Sequence, residues 1–447
     1  MIKTISRLSF PIVIAQLAFA LMSFIDTLLM GLLGVEVLAG GGLGAVVYQF
    51  FYIVGIGALV ATANLIAFAK GQSNDAEIHR ALLSGVVLVG ILFSVSLLAI
   101  WQSRTILLYL GQDPVTVEFA YQYLSVAVWA LLPAFGFILL RSLVLGLGRP
   151  AAILPISLIA TSLNYPVSYV LMTGMFGLPA LGVEGIALGT CIISWLMLLG
   201  LVILIYRQTY FKTYPFWSRW QNFSLRQFLA TLKLGIPIAI AHAMEVGMFS
   251  AAALLIGLIG VDALAAHQVA LQLTTLSFMI PLGISQAVSV KVGELFGAGR
   301  IDNIMYALRS GVCLVLISAC IAGGLFLLVP EFLVQIFLSI DVVGAGKYAS
   351  VLNVAVSILF VAAIFQMVDG VQVVLMGSLR GFKLGLSPTI AAIVSYWCIG
   401  IPCSYLLLAD YGAMGVWIGM GVGLAFSSVI LAFIFFRQLR VHYSVSV

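Results

Sequence analysis

Two short stretches define the organisation of this chain: GLLGVEVLA at residues 31–39 and GLIGVDALA at residues 257–265. They lie 226 residues apart, and the same offset aligns the flanking sequence without a gap. Of the 30 positions from 11 to 40, 13 are identical to their partners. Self-similarity at one fixed offset over a long segment indicates an internal repeat. The sequence therefore predicts two halves of similar structure.

The composition is typical of a polytopic membrane protein. Hydrophobic residues make up 63% of the 447 and charged residues only 8%, with a mean hydropathy of +1.22. A soluble chain of this size cannot bury so much apolar surface. The apolar stretches are continuous rather than alternating, which excludes a transmembrane β-barrel. The five cysteines lie in apolar stretches without CxxC spacing, so they predict neither disulfides nor a cysteine-bound metal.

A helix needs about 20 apolar residues to cross ~30 Å of hydrocarbon, and twelve stretches meet this requirement. The predicted spans are 8–33, 43–68, 81–100, 118–140, 151–173, 183–206, 234–259, 268–292, 308–329, 347–376, 386–408 and 413–436. We therefore predict an all-α polytopic membrane protein with twelve transmembrane helices in two six-helix lobes. An even number of helices in each half makes the lobes parallel repeats, related by a pseudo-two-fold axis along the membrane normal.

Charge placement predicts the orientation. If the spans are as above, 18 of the 20 Lys and Arg residues fall on the side of the N-terminus, and only Arg104 and Lys347 fall on the other. Cytoplasmic loops carry the excess of basic residues in membrane proteins. Both termini are therefore expected in the cytoplasm. The predicted domains are an N-terminal lobe at 1–206, a cytoplasmic connector at 207–233 and a C-terminal lobe at 234–447.

Three acidic residues lie inside predicted spans, where an ionisable side chain is costly and marks an ion, proton or substrate path. Glu245 and Asp369 lie at similar depth, with Glu245 ~16 Å from the cytoplasmic end of its helix at 1.5 Å per residue. Two such carboxylates can share a cation or hold a proton; the alternative is that both are neutral and bonded to backbone. Asp26 lies ~27 Å from its cytoplasmic end, and it either serves transport or is hydrated near the outer headgroups.

Other polar residues within the spans are weaker candidates. His242 precedes Glu245 by three residues on the same helical face, which favours a hydrogen-bond partner over a metal ligand. Asn164 either presents a polar group inside the first half or makes an interhelical hydrogen bond. Motifs for catalysis or ATP hydrolysis are absent from the sequence: it has no Walker A pattern, no GxSxG and no HExxH. We therefore expect neither an enzyme nor an ATP-driven pump, and no cofactor beyond a coupling ion.

Four strings in the sequence resemble the multidrug and toxic compound extrusion (MATE) family, in its NorM-type branch. They are FIDT at 24–27, AAHQV at 265–269, MIP at 279–281 and DGVQVVLMGSLRG at 369–381. The resemblance covers nearly the whole chain. It implies a two-lobed antiporter of the bacterial inner membrane that exports cationic, amphipathic compounds in exchange for Na⁺ or H⁺ by alternating access. We expect it to act as a monomer, without an ATPase partner or nucleic acid.

The resemblance also implies roles for individual residues. Glu245 and Asp369 are expected to bind the coupling cation, including Na⁺ if the protein is sodium-coupled, and Asp26 to handle protons or substrate. Substrate contacts are expected at Asp26, Asn164, Phe278 and Gln366. Some relatives have a tyrosine where this chain has Phe278, which leaves a cation–π contact without a hydroxyl.

Two other functions remain open at this point. A flippase for lipid-linked saccharides would need several basic residues inside its cavity for a pyrophosphate, whereas the interior charges predicted here are acidic. A channel or a membrane enzyme would show single-channel currents, or turnover that does not depend on an ion gradient.

Overall fold

The computed structural model of the chain describes residues 1–109, 111–213, 220–337 and 345–446. Within these ranges the regular structure is helical, without β-strands. The first half contains α1 Ile2–Leu32, α2 Val35–Gly71, α3 Asp75–Trp101, α4 Ser103–Tyr109, α5 Pro114–Gly146, α6 Leu154–Thr173 and α7 Val183–Arg207. The second half contains α8 Leu225–Gly257, α9 Val261–Gly297, α10 Asp302–Leu328, α11 Pro330–Gln335, α12 Ala345–Gly381, α13 Leu386–Ile393, a π-helical turn Val394–Gly400 and α14 Ile401–Ser446.

The prediction of twelve spans is confirmed once a kink in the last helix is counted. Eleven helical segments of the described chain are long and apolar enough to cross a membrane, and the last, Leu386–Tyr443, has 58 residues. At 1.5 Å per residue this is ~87 Å, far more than one crossing requires. Gly412 interrupts it with φ 56° and ψ −138°, which are not helical. The break separates the predicted spans 386–408 and 413–436.

Helix starts follow from local chemistry. The Asn74 side chain accepts a hydrogen bond from the Glu77 amide at 3.2 Å and caps α3. Asp113 caps α5 in the same way through the Thr116 amide at 3.0 Å, and Pro114 follows at the first helical position. A proline there loses no helical hydrogen bond, because the first amides have no partner within the helix.

The repeat appears in the backbone as well as in the sequence. Gly34 precedes α2 with φ 118° and ψ 169°, and its partner Gly260 precedes α9 with φ 146° and ψ 172°. Gly182 precedes α7 with φ 56° and ψ −128°, close to the angles of its partner Gly412. Positive φ strongly favours glycine, which lacks a Cβ. The same turns are therefore encoded twice.

Close helix packing repeats too. A Cβ on Gly419 would collide with the backbone of Ser404, and a Cβ on Gly189 would collide with the backbone of Ser168. The two pairs occupy corresponding places in the two halves. Small residues let neighbouring backbones approach, and this is a common way to join helices in membranes.

The chain divides into two compact units. The N-terminal unit comprises Ile14–Ala239, and the C-terminal unit comprises Met1–Val13 together with Ile240–Val447. Each of α1 and α8 is therefore shared between both units, with Pro11 or Pro237 close to the boundary. The lobe boundaries 1–206 and 234–447 stay a prediction from sequence, and part of the predicted connector (214–219) lies outside the described residues.

Candidate functional site

The acids of the C-terminal unit lie close enough to interact. Glu245 is on α8 and its side chain is 22% exposed, whereas Asp369 on α12 is 5% exposed. Glu245 interacts electrostatically with Asp369, and both carboxylates interact with Tyr396. Glu245 also interacts with the buried guanidinium of Arg380. We call Glu245, Asp369, Arg380 and Tyr396 the C-terminal cluster.

Arg380 was assigned to the cytoplasmic loops when basic residues were counted from sequence. The structure places it in the last turn of α12, only 7% exposed and in electrostatic interaction with Glu245. A partly buried carboxylate such as that of Glu245 gains from a nearby cation, because burial removes much of the water that would otherwise screen the charges. The sequence shows that Arg380 is charged and lies near a helix end. It does not show that the side chain is buried.

His242 does not make the expected hydrogen bond. Its Nδ1 lies 3.7 Å from Oε2 of Glu245, which is too long for a hydrogen bond. The distance still allows an ion pair when the imidazole is protonated. His242 therefore lies beside Glu245 without a hydrogen bond to it.

A π-helical turn, which sequence reasoning did not predict, supports the cluster. The Tyr396 hydroxyl, within the turn, accepts a hydrogen bond from Nε2 of Gln372 at 2.7 Å. The next residue, Trp397, donates its indole N–H to the Met244 carbonyl at 3.3 Å, immediately before Glu245. π-helical turns are frequent at functional sites. This one links the turn to both helices that carry the acids.

Asp26 in the N-terminal unit is bound by neutral donors. Its Oδ1 accepts a hydrogen bond from Nδ2 of Asn164 at 3.3 Å, and its Oδ2 accepts one from Oγ1 of Thr190 at 2.8 Å. Asn164 is fully buried, and Asp26 also interacts electrostatically with Tyr48 and Tyr123. We call Asp26, Asn164 and Thr190 the N-terminal cluster.

Thr190 was missed from sequence because a threonine in a long apolar helix gives no signal of its own. The three helices α1, α6 and α7 each contribute one side chain to the N-terminal cluster. The hydrogen bond from Asn164 is interhelical, as one of the two sequence interpretations proposed. Because the acceptor is the carboxylate of Asp26, this one contact is both an interhelical hydrogen bond and a polar group presented inside the first half.

A second arginine is buried within the N-terminal unit. Arg141 on α5 is 7% exposed, and its guanidinium carbon lies 5.8 Å from the centroid of the Phe19 ring. It also interacts electrostatically with Tyr52. The count of basic residues predicts only that Arg141 lies on the side of the N-terminus. Like Arg380, it lies near the end of its helix but is enclosed by protein.

The remaining predicted substrate residues lie in the C-terminal unit. Gln366 is 2% exposed and donates a hydrogen bond to the Thr274 carbonyl at 3.0 Å, linking α12 to α9. Phe278 is half-buried on α9, one helical turn after Thr274. Across the described residues, the structure contains no group of three or more His, Cys, Asp or Glu side chains arranged to hold a metal ion. Any cation at Glu245 and Asp369 would need further oxygen ligands from neutral groups or water.

Comparison with known proteins identifies the family. The model for MatE matches the chain twice, at residues 11–170 and 237–406, so each half of the repeat matches separately. The chain belongs to the MATE family. The two matches begin 226 residues apart, which is the offset of the internal repeat.

Curated relatives place this MATE chain in the NorM-type branch. It is 37% identical over 441 residues to the "Probable multidrug resistance protein NorM" of Pseudomonas putida, covering 98% of this chain and 95% of the relative. It is 35% identical to the protein of the same name from a Synechococcus strain, covering 94% and 90%. The expected NorM-type resemblance is confirmed.

Solved structures confirm the fold. A Vibrio cholerae MATE transporter, VcmN, superposes with a TM-score of 0.88 at 17% identity, covering 98% of this chain and 97% of that one. A transporter of the MOP superfamily from Pyrococcus furiosus gives a TM-score of 0.85 at 18% identity, covering 99% and 96%. The chain is thus a multi-pass membrane transporter of the MATE fold.

Proposed function

We propose that the protein is a cation-coupled multidrug antiporter that exports cationic, amphipathic compounds in exchange for Na⁺ or H⁺. The observation that carries this proposal is the C-terminal cluster, in which Asp369 is buried within electrostatic reach of Glu245. Two acids inside the membrane are costly unless they bind something positive. Membership of the NorM-type branch supports the same proposal, since its relatives bear the name multidrug resistance protein.

The coupling step follows from repulsion between like charges. When Glu245 and Asp369 are both ionised and without an ion, they repel each other in a medium of low dielectric constant. A bound Na⁺ or proton removes part of that repulsion and so favours whichever conformation holds the cation best. A ligand shifts a conformational equilibrium only through such a difference in affinity. The proposed cycle is alternating access, in which cation entry resets the transporter after the drug has left.

The proposed substrates follow from charge and ring content. Asp26 offers a carboxylate that two neutral donors hold in place without neutralising it. The N-terminal unit also contains aromatic rings. Those of Tyr48 and Tyr52 stack with their centroids 6.2 Å apart. Carboxylates and ring faces attract organic cations, and rings also contact apolar groups. We propose that Asp26, Asn164, Phe278 and Gln366 contact such substrates.

We further propose that the protein works as a monomer in the bacterial inner membrane with both termini in the cytoplasm. The support is the distribution of basic residues and the bacterial origin of the relatives. A cysteine-accessibility measurement with single cysteines near each terminus tests the orientation. Labelling by an impermeant reagent in intact cells, without prior permeabilisation, would contradict it.

The experiment that tests the function is efflux of a lipophilic cationic dye from proteoliposomes. An imposed Na⁺ gradient is compared with a proton gradient alone and with no gradient. We expect one of the two gradients to drive efflux in the wild type, and neither to drive it in Glu245→Gln or Asp369→Asn. Glu184→Gln is the matched control, because Glu184 is an acid in the first turn of α7, outside both clusters. Unchanged efflux in both cluster variants would contradict the proposal.

A further inference from the structure

Two adjoining cavities lie on the surface of the C-terminal unit, and neither is lined by a residue of the acid clusters. The larger has a volume of about 690 Å³ and is lined almost wholly by apolar side chains of α10, with Phe436 of α14 on the other side. The smaller, of about 550 Å³, lies where the start of α1 meets α10. Arg309 and Cys313 line both cavities, so they form one continuous groove.

The spacing of residues along α10 explains the groove. Cys313, Ile317, Cys320 and Ile321 follow the pattern i, i+4, i+7 and i+8, so they lie on one face of the helix. The cysteines are small, which leaves a channel between the larger side chains before and after them. Cys313, Cys320 and Ile321 are exposed in the protein itself. In a membrane this face meets lipid rather than water.

The length of the groove corresponds to one leaflet of the bilayer. Arg309 and Ile321 are twelve residues apart on α10, which is ~18 Å at 1.5 Å per residue. Half of a hydrocarbon core of ~30 Å is ~15 Å. A single acyl chain running along the groove would therefore extend from the polar boundary to about the middle of the membrane.

The polar end of the groove is positively charged. Lys3 and Arg309 line it together with Met1 and the Tyr306 side chain. Neither Lys3 nor Arg309 has an ion-pair partner within the described parts of the chain. The nearby acid Asp302 shares a face of α10 with Arg309, but its side chain is hydrogen-bonded to Tyr443.

We propose that this groove binds one anionic phospholipid from the leaflet that contains the N-terminus. The phosphate lies against Lys3 and Arg309, and one acyl chain lies along Cys313, Ile317 and Cys320. Basic residues near the surface attract anionic lipids, and long basic side chains extend their charge toward the headgroups. The apolar channel holds the acyl chain, and the two cations select the headgroup.

Native mass spectrometry of the purified full-length protein tests the proposal. The two probes are phosphatidylglycerol and phosphatidylcholine with identical acyl chains, so that only headgroup charge differs. We expect the wild type to retain phosphatidylglycerol preferentially. Each of Lys3→Gln and Arg309→Gln should weaken that retention about fivefold, the effect of ~1 kcal/mol per basic residue near the membrane surface. Arg440→Gln, which removes an exposed cation outside the groove, is the control and should retain the wild-type preference.

A groove-filling variant tests the acyl-chain part separately. Cys320→Trp should lower retention of both lipids to a similar extent, because it blocks the channel without changing charge. Equal retention of the two lipids by the wild-type protein overturns the proposal. This outcome does not depend on whether any variant folds. The proposal is also overturned by displacement of the lipid by millimolar inorganic phosphate, or by unchanged retention in Cys320→Trp, since either would mean that the acyl chain lies elsewhere.

Discussion

The two halves of the repeat hold the acids within their spans by different means. In the N-terminal cluster one carboxylate accepts hydrogen bonds from Asn164 and Thr190, both neutral. In the C-terminal cluster two carboxylates lie within electrostatic reach of each other, and one of them, Glu245, also interacts with a buried arginine. The first arrangement gives a single carboxyl group two hydrogen-bond donors. The second concentrates negative charge that a small cation can relieve.

The repeat partners show how this difference arose at the level of residues. Asp26, Asn164 and Thr190 correspond to Ala252, Gly400 and Met420 in the aligned halves, none of which has a side-chain hydrogen-bond donor. The whole polar site is thus missing from the second half, rather than one residue of it. A duplicated fold can therefore keep its backbone and turns while each half acquires its own chemistry.

Glu245 and its repeat partner Phe19 also differ in chemistry, but here the acid is in the second half. Phe19 lies beneath the buried guanidinium of Arg141, whereas Glu245 interacts with the buried guanidinium of Arg380. Both halves place a buried arginine near this position. In the N-terminal unit the residue near the arginine is an aromatic ring, and in the C-terminal unit it is a carboxylate. Only the carboxylate can contribute to a cation site.

The largest expected effect comes from placing an acid at the equivalent of Asp26 in the second half, which lacks the donors that Asn164 and Thr190 supply in the first. Ala252→Asp places a carboxyl group at a position that is fully buried, in a half whose equivalents of Asn164 and Thr190 have no side-chain donor. We expect a loss of ~4 kcal/mol or more in the free energy of unfolding, since a buried polar group without a hydrogen bond is costly. Thermal unfolding in detergent measures it. Ala252→Val is the apolar control, and equal melting temperatures for the two variants would contradict the comparison.

Asp369→Asn should abolish the concentration of charge in the C-terminal cluster. We expect cation-driven dye efflux to fall about 100-fold, equivalent to ~2.7 kcal/mol. Gln372→Glu is informative beside it, because it adds an acid one turn from Asp369, at a position that is hydrogen-bonded to Tyr396. Restored efflux in the double variant would show that total charge matters more than the position of the carboxylate.

Thr190→Val removes one of the two donors to Asp26 and keeps the shape of the side chain. A hydrogen bond to a charged group contributes ~1.5–3 kcal/mol, so we expect roughly a tenfold rise in the dye concentration that half-saturates efflux. Thr173→Val is the control, because Thr173 bonds only the carbonyl of Tyr169. If Thr190→Val transports like the wild type, the hydroxyl does not hold Asp26.

Trp397→Phe tests whether the π-helical turn positions Glu245. It removes the N–H that bonds the Met244 carbonyl and keeps an aromatic ring at the same place. A neutral hydrogen bond contributes ~0.5–1.5 kcal/mol, so we expect about a threefold rise in the cation concentration that half-saturates transport. Unchanged cation dependence would leave the turn without a role in coupling.

Much of the fold followed from sequence because it depends on local and periodic features. Apolar length predicted twelve spans, and the glycines of the repeated turns correspond to the positive φ angles of Gly34 and Gly260. The acids were identified because a charge in an apolar run is conspicuous. Their partners were not: Thr190, Tyr396 and Trp397 are ordinary residues of membrane helices. Their contacts depend on packing between distant segments, which no periodicity encodes.

Arg141 and Arg380 show where counting charges fails. Both lie close to helix ends, so a count assigns them to the cytoplasm and the topology prediction is unaffected. Each is nevertheless 7% exposed: Arg141 lies over the ring of Phe19, and Arg380 interacts electrostatically with Glu245. A position near a helix end is compatible with either solvent or burial, and only the surrounding helices decide between them.

The central claim is that buried carboxylates exchange a cation for a drug, and counter-flow measures it most directly. Proteoliposomes are loaded with a lipophilic cationic dye, diluted into dye-free buffer, and monitored for inward movement of Na⁺ and of protons. The account predicts inward flow of one of these cations in step with dye exit, lost in Asp369→Asn and kept in Glu184→Gln. Dye exit through the wild-type protein with no movement of either cation would contradict it.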